Sequence, residues 1–331
     1  MMRLNKHYLI LLAIGISLLL YSCDSSDLIS EESPTITSNA LDLQKAKKGG
    51  DDDVLINEDL LNNINVALSS EDVNYKIAIA EFITVGENGK MGNEVIAKDV
   101  GNKQLGFDFV PNDSRRGWSG PVGGSTDNIT YAIDQTTDAV PVFGGLTGAE
   151  TTSAILRAMT TWDNITCSDL ELSQNDDFGI DIGVIAFLNG LGGSPFVFAD
   201  VQHAGWRDIN FGGGVLGVAF TFGLTDPVTG EFTDIDENGK LDTAFREIYY
   251  DPSFNWADDG SSNVDVETVA LHEAGHGLSQ AHFGKVMIKK NGDLKASPRA
   301  VMNALYAGPL RELQGTDNGG HCSNWGEWPS N

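Results

Sequence analysis

Basic residues are scarce in this chain. Its 331 residues include 21 Lys and Arg against 47 Asp and Glu, a formal net charge of −26. A field of that sign repels phosphate backbones and anionic lipid headgroups, which argues against nucleic acid and bare membrane surfaces as partners. Cysteine is rarer still, with three in the whole chain. Long apolar runs are also missing apart from Tyr8–Leu20, which is too short to span a bilayer comfortably as a mature helix. With 41% apolar residues, the composition is that of one substantial globular domain with room for a smaller one. The acidity reads as solubility of an extracellular protein, with some of the acid available as calcium ligand.

The apolar run instead reads as part of a targeting segment. Arg3 and Lys6 form a basic start, and Leu20-Tyr21-Ser22-Cys23 resembles a bacterial lipobox. Residues 1–22 are then a signal peptide, and Cys23 is the lipidated N-terminus. An ordinary secretory signal cut nearby and a retained single anchor are the alternatives, and all three export the protein. It is expected in the cell envelope, in the outer membrane or at the cell surface as a lipoprotein, and otherwise secreted. Contact with a membrane is expected only through the lipid. Residues 23–53, rich in Ser, Asp, Glu and Lys, read as a disordered tether. The two remaining cysteines, Cys167 and Cys322, are expected to pair, because thiols in an exported chain oxidise.

Residues 54–116 read as a small α/β segment, a propeptide or a support element. Glu58–Leu68 has helical spacing and Tyr75–Val85 is strand-like, with a turn at 86–89. Arg115-Arg116 would suit a processing cut, but a solvated surface pair is the favoured reading. From 117 onward a larger domain is expected. Its strands are read at 128–133, 180–187, 196–201 and 245–251, with a helix over Thr147–Trp162. Leu216, Val218, Phe220 and Phe222 alternate with smaller residues, as in a half-buried strand whose edge could pair with an extended peptide.

The chemistry centres on Leu271–His282, which holds three of the six histidines. His272 and His276 are four apart, so a helix puts them on one face, where they can share a metal ion. Glu273 lies about 60° round the helix from His276, beside such an ion and able to hold a water. His282 would be about 9 Å further along a continued helix. It reaches the same ion only if the helix ends near Ser279 and the chain doubles back. Three nitrogens and one open position make a catalytic zinc site. Ser262-Asn263 can cap this helix, while Gly275 and Gly277 weaken it and imply close packing. A second cation site is suggested by Asp234, Asp236, Asn238 and Asp242, with Gly239 at the sixth position. The twelfth position is Phe245, so an EF-hand is not supported, and a calcium loop of another kind and a plain hairpin turn stand as alternatives.

These residues resemble the metzincin zinc peptidases, and among them the matrixins, from about Trp118 to Asp317. His272, Glu273, His276 and His282 match H-E-x-x-H-x-x-G-x-x-H, and Ala300–Tyr306 looks like the methionine turn that follows it. Ser279 stands where the pattern has Gly, at a cost of roughly 1 kcal/mol if φ is positive there. Val218 and Tyr249 fall where matrixins place structural-zinc histidines, so that second zinc is not carried over. No cysteine lies between 23 and 167 to act as a switch. The resemblance implies an α+β catalytic domain over 117–331, with a twisted mixed sheet, a first helix, a zinc-motif helix and a curtailed last helix. It implies Zn²⁺ on His272, His276 and His282, a zinc-activated water with Glu273 as general base, Met302 as a hydrophobic floor, and a protein or peptide substrate. Tyr306 would be a wall residue of the pocket after the turn, with oxyanion stabilisation as the lesser alternative. Two rivals stand. One is an enzyme of another family in which a distant carboxylate such as Glu312 replaces His282. The other is a non-catalytic surface binding lipoprotein on a peptidase-like scaffold.

Overall fold

Runs of β-branched and aromatic residues in the second half of the chain assemble into one large sheet. The computed structural model describes residues 58–331 except 72, 86–93, 100–103, 118–126, 137–139, 210–213, 262, 289–293 and 331. The signal, Cys23 and the tether, together with the turn at 86–89, lie outside the described residues. The elements run α1 (Glu58–Leu68), β1 (Tyr75–Thr84), β2 (Glu94–Asp99), β3 (Phe107–Asp108), β4 (Ile129–Ile133), α2 (Gly148–Asp163), β5 (Leu172–Gln174) and α3 (Val184–Leu188). There follow β6 (Val201–Trp206), β7 (Val215–Leu224), β8 (Leu241–Tyr250), β9 (Trp256–Ala257), β10 (Val264–Asp265), α4 (Val266–Gly277), β11 (Gly284–Ile288), β12 (Leu294–Ser297) and α5 (Gly315–Trp325). The architecture is mixed, with a mixed sheet and a few helices, and is compatible with an α+β fold.

The main sheet has the order β1-β7-β8-β6-β4-β5, with β3 beside the start of β8. β4, β5, β6 and β8 are parallel, whereas β7 runs antiparallel to β8 and β1 antiparallel to β7. One face is covered by α2 and α4, which pack Ala158, Trp162, Val269 and Leu271 into a core with Ile129 and Ile248. The other face is covered by α1 and α3, through Ile64, Leu68 and Ile185 against Phe220, Phe222 and Phe245. β7 is therefore buried on both faces along its whole length, not half-buried as its alternation suggests. The segment expected as a small N-terminal unit supplies β1, which pairs with β7 from Tyr75 to Thr84.

Several expectations are corrected. The run at 180–187 is not a strand. Val184 and Ile185 donate their amides to the buried Glu247 carboxylate at 2.6 and 3.1 Å, and that cap starts α3. The expected strand at 196–201 lies later, as β6. Arg115 and Arg116 are not a solvated pair: Arg116 is buried against Asp200, and Arg115 bridges Asp113 and Asp242. The last helix is not curtailed. Gln314 donates its backbone amide to Asp317 at 2.8 Å, and the helix then runs through Gly319-Gly320 to Trp325. Tertiary anchors override the weak propensity. The Trp325 indole donates to the Leu278 carbonyl, and a disulfide joins Cys322 to Cys167 with Cα atoms 5.7 Å apart.

Candidate metal centre

α4 starts at Asp265, whose carboxylate accepts from the Thr268 amide at 3.0 Å and is itself held by Arg311. The cap is thus Asp265 rather than Ser262-Asn263; a carboxylate there also meets the positive end of the helix dipole. The helix ends at Gly277. Ser279 then takes φ +66°, and the Gln280 amide returns to the Gly275 carbonyl at 2.9 Å. That turn brings His282 back over the helix.

The turn tolerates Ser because of an arginine that sequence reasoning passed over. Arg246, in the middle of β8, is fully buried and donates to the Gly277 carbonyl at 2.8 Å and the Ser279 hydroxyl at 2.9 Å. It also donates to Thr221 and the Phe107 carbonyl, with no carboxylate among these partners. Burial pulls its pKa down to about 9, so it stays charged at neutral pH.

The three histidines converge. Their Nε2 atoms lie 3.0, 3.1 and 3.3 Å apart. Nδ1 of His272 faces the Val301 carbonyl at 2.7 Å, and Nδ1 of His276 faces the Gln280 carbonyl at 2.8 Å. The His282 ring bonds the Phe82 carbonyl. A carbonyl can only accept, so each ring carries its proton on the outer nitrogen. Three bare Nε2 lone pairs then point at one another in a buried space, an arrangement that repels unless a cation lies among them. Tetrahedral ligands at about 2.0–2.1 Å from an ion would be about 3.3 Å apart, close to this triangle. Burial pulls His272 down to about 4 and the other two well below the usual histidine value, so all three rings are neutral at neutral pH.

Glu273 is fully buried beside them. Its Oε1 accepts from the Ile83 amide at 3.2 Å, and its Oε2 has no partner. Burial pushes its pKa well above the carboxylate range; the Ile83 bond opposes this and the nearby Glu81 charge adds to it. Gly217 on β7 makes the room, since a Cβ there would come 3.0 Å from Glu273 Cγ.

Below the rings lies Met302, 1% exposed. A Cβ on Gly275 would collide with its sulfur, which explains the helix-weakening Gly between the ligands. The amides of Val301 and Met302 donate to Asp317 of α5 at 2.9 and 3.0 Å. Asp317 thereby fixes the turn whose Val301 carbonyl orients His272. The Tyr306 hydroxyl donates to the Asn263 carbonyl and accepts from the Asp265 amide, so it is committed to the wall beside α4. Glu312 is exposed, on the surface beside the disulfide. Val218 and Tyr249 are buried, with Tyr249 bonded to Glu247.

Asp234, Asp236 and Asp242 also gather, with oxygens within 4.8 Å of one another. Their oxygens are already occupied. Asp234 accepts from the amides of Asn238 and Gly239, and Asp236 from the Asn238 amide and side chain. Asp242 accepts from Arg115, Thr233 and the Ile235 amide. Hydrogen bonds of a hairpin turn account for each oxygen.

Spacing within the motif marks His272, Glu273, His276 and His282. It gives no signal for Ile83, Phe82, Arg246 or Asp317, each of which acts across a long stretch of sequence. No family model matches the chain, and no curated protein matches it in sequence.

Proposed function

We propose that this chain is an exported zinc endopeptidase of the metzincin type, held at the cell envelope through Cys23. The observation that carries the reading is the pairing of three inward, unprotonated Nε2 atoms with a buried carboxylate that has one oxygen free. His272, His276 and His282 are the donor set for the metal, with neutral imidazoles and carbonyl-anchored outer nitrogens, the arrangement that fixes tautomer and ring orientation. Bound zinc supplies Lewis-acid activation of a water and of the scissile carbonyl. Glu273 takes a proton from the attacking water as the C–O bond forms, and returns it to the amine nitrogen as the C–N bond breaks. Its raised pKa suits a group that must both accept and release a proton near neutrality. Met302 and Gly275 give the rings a dry, close-fitting floor. The aspartate loop at 234–242 takes the hairpin-turn reading and has no part in the chemistry.

The test combines zinc analysis with cleavage of a broad peptide library by the wild type and Glu273→Gln. The variant is expected to keep its full complement of zinc and to lose 10²–10⁴-fold in hydrolysis, the range for a lost acid–base group. Loss of zinc would make Glu273 a ligand. No hydrolysis by a zinc-loaded chain, with β1 seated or displaced, would favour the non-catalytic binding protein.

A further inference from the structure

β1 ends against the metal centre, and its last residues are held differently from the rest of the strand. From Tyr75 to Phe82 it pairs with β7 alone. From Ile83 onward it is gripped on both edges. On one side Ile83 and Thr84 stay in register with Gly217 and Val215 of β7, and the Val85 amide donates to the Gly214 carbonyl at 2.8 Å. On the other, the Thr84 amide donates to the Ala304 carbonyl at 3.2 Å and the Tyr306 amide donates to the Thr84 carbonyl at 2.8 Å. The chain is antiparallel to β7 and parallel to Leu305. An extended peptide laid into a groove between two backbone walls makes these bonds.

The Phe82–Ile83 peptide unit sits over the reactive groups. Its N–H is on Glu273 Oε1, and its carbonyl accepts from the His282 ring. The Ile83 side chain, 2% exposed, enters the hollow lined by Thr268, Val301, Leu305, Tyr306 and Leu310. A strand that merely finishes a sheet has no need to place an amide on the one carboxylate beside three histidines.

We infer that residues 82–85 are a tethered occupant of a peptide-binding cleft, so that the chain is latent while they are seated. We infer also that the cleft takes an extended peptide with a branched aliphatic side chain at the place Ile83 holds. The latency rests on the peptidase reading; the occupancy and the side-chain preference do not. Phe82–Ile83 itself survives because its carbonyl is turned to His282, away from the point where the three Nε2 atoms converge. The competing role for this segment is support, since the Phe82 carbonyl orients His282.

The probe is a fluorescein-labelled Ala-Glu-Phe-Ile-Thr-Val peptide, the sequence of residues 80–85, with the Phe–Ile carbonyl reduced to a methylene so that it cannot be hydrolysed. Its binding is measured by anisotropy on the zinc-loaded full chain and on Ile83→Gly and Thr84→Pro. Each variant is expected to bind at least tenfold more tightly than the wild type with zinc content unchanged. A probe carrying Asp in place of Ile should bind at least tenfold more weakly than the parent. Wild-type binding equal to that of the variants, or folded variants that lose zinc and gain no binding, would overturn the occupant in favour of support. Equal binding of the Asp probe would overturn the aliphatic preference. Should neither variant fold, hydrogen exchange on the wild type decides. Saturating probe should speed exchange of the Ile83 and Thr84 amides, and unchanged exchange defeats the inference. Tightened binding in variants that still fail to cleave the unreduced peptide keeps the cleft and sinks the peptidase.

Discussion

Two clusters of metal-type side chains lie in this molecule, and they differ in what their lone pairs are doing. Around Asp234, Asp236 and Asp242 every carboxylate oxygen already accepts a hydrogen bond, one of them from Arg115. Around His272, His276 and His282 the outer nitrogens are anchored and the inner ones face each other bare. Closeness of ligand atoms is common to both. What separates them is residual demand: the aspartate loop is self-sufficient, whereas the histidine centre is electrostatically unfinished without a cation.

The sharpest way to break this contrast is to remove ligands from each. His276→Ala is expected to abolish tight zinc binding and with it any hydrolysis, while Asp234→Ala leaves both unchanged. Calcium added to the chelated wild type should shift its melting temperature by no more than about 1 °C, because a cation that does not bind the folded state selectively cannot stabilise it. A calcium-dependent rise of several degrees, lost in Asp234→Ala, would put the two clusters on the same footing.

A smaller effect probes how the histidine centre is held. Asp317→Ala removes the acceptor of both the Val301 and Met302 amides. Two buried amides left without partners are expected to cost about 2–4 kcal/mol of unfolding free energy, read from denaturant midpoints. Zinc affinity should fall as well, because Val301 orients His272. Asp317→Asn should recover only part of this, since one oxygen becomes a donor.

The smallest effect concerns Ser279. From the sequence, Gly at this place relieves a left-handed φ and gains roughly 1 kcal/mol. The structure reverses the sign. Ser279→Gly also removes an acceptor of the buried Arg246 guanidinium, and a bond to a charged donor is worth about 1.5–3 kcal/mol. A net loss of about 1–2 kcal/mol is expected in chemical denaturation, and a stabilised variant would show that Arg246 finds another acceptor.

Local chemistry was legible in advance, while distant partners were not. His272, Glu273 and His276 follow from helical geometry, and the break at Ser279 follows from the need to bring His282 back. The first helix reads directly from Thr147 and the apolar spacing after it. Ile180–Phe187 reads as a strand because its apolar run is short and its deciding cap, Glu247, lies far along the sequence. Arg246 looks like an ordinary outward residue between Phe245 and Glu247, and only the sheet buries it. Asp317 lies in a Gly-rich stretch with poor helical propensity. The seat of Ile83 depends on backbone edges supplied by Gly217 and Ala304, which no periodicity within β1 encodes.

The contact from Asp317 to the turn under the histidines also has a consequence for the order of assembly. Synthesis runs from the N-terminus, so the motif helix leaves the ribosome well before α5 does. A nascent chain, or one truncated ahead of Asp317, carries all three imidazoles and Glu273 without the carboxylate that closes the turn beneath them. The centre is therefore completed late, by residues that neither touch the imidazoles nor take part in the chemistry. Until then β1, already made, can reach β7 but not yet a finished wall at Leu305.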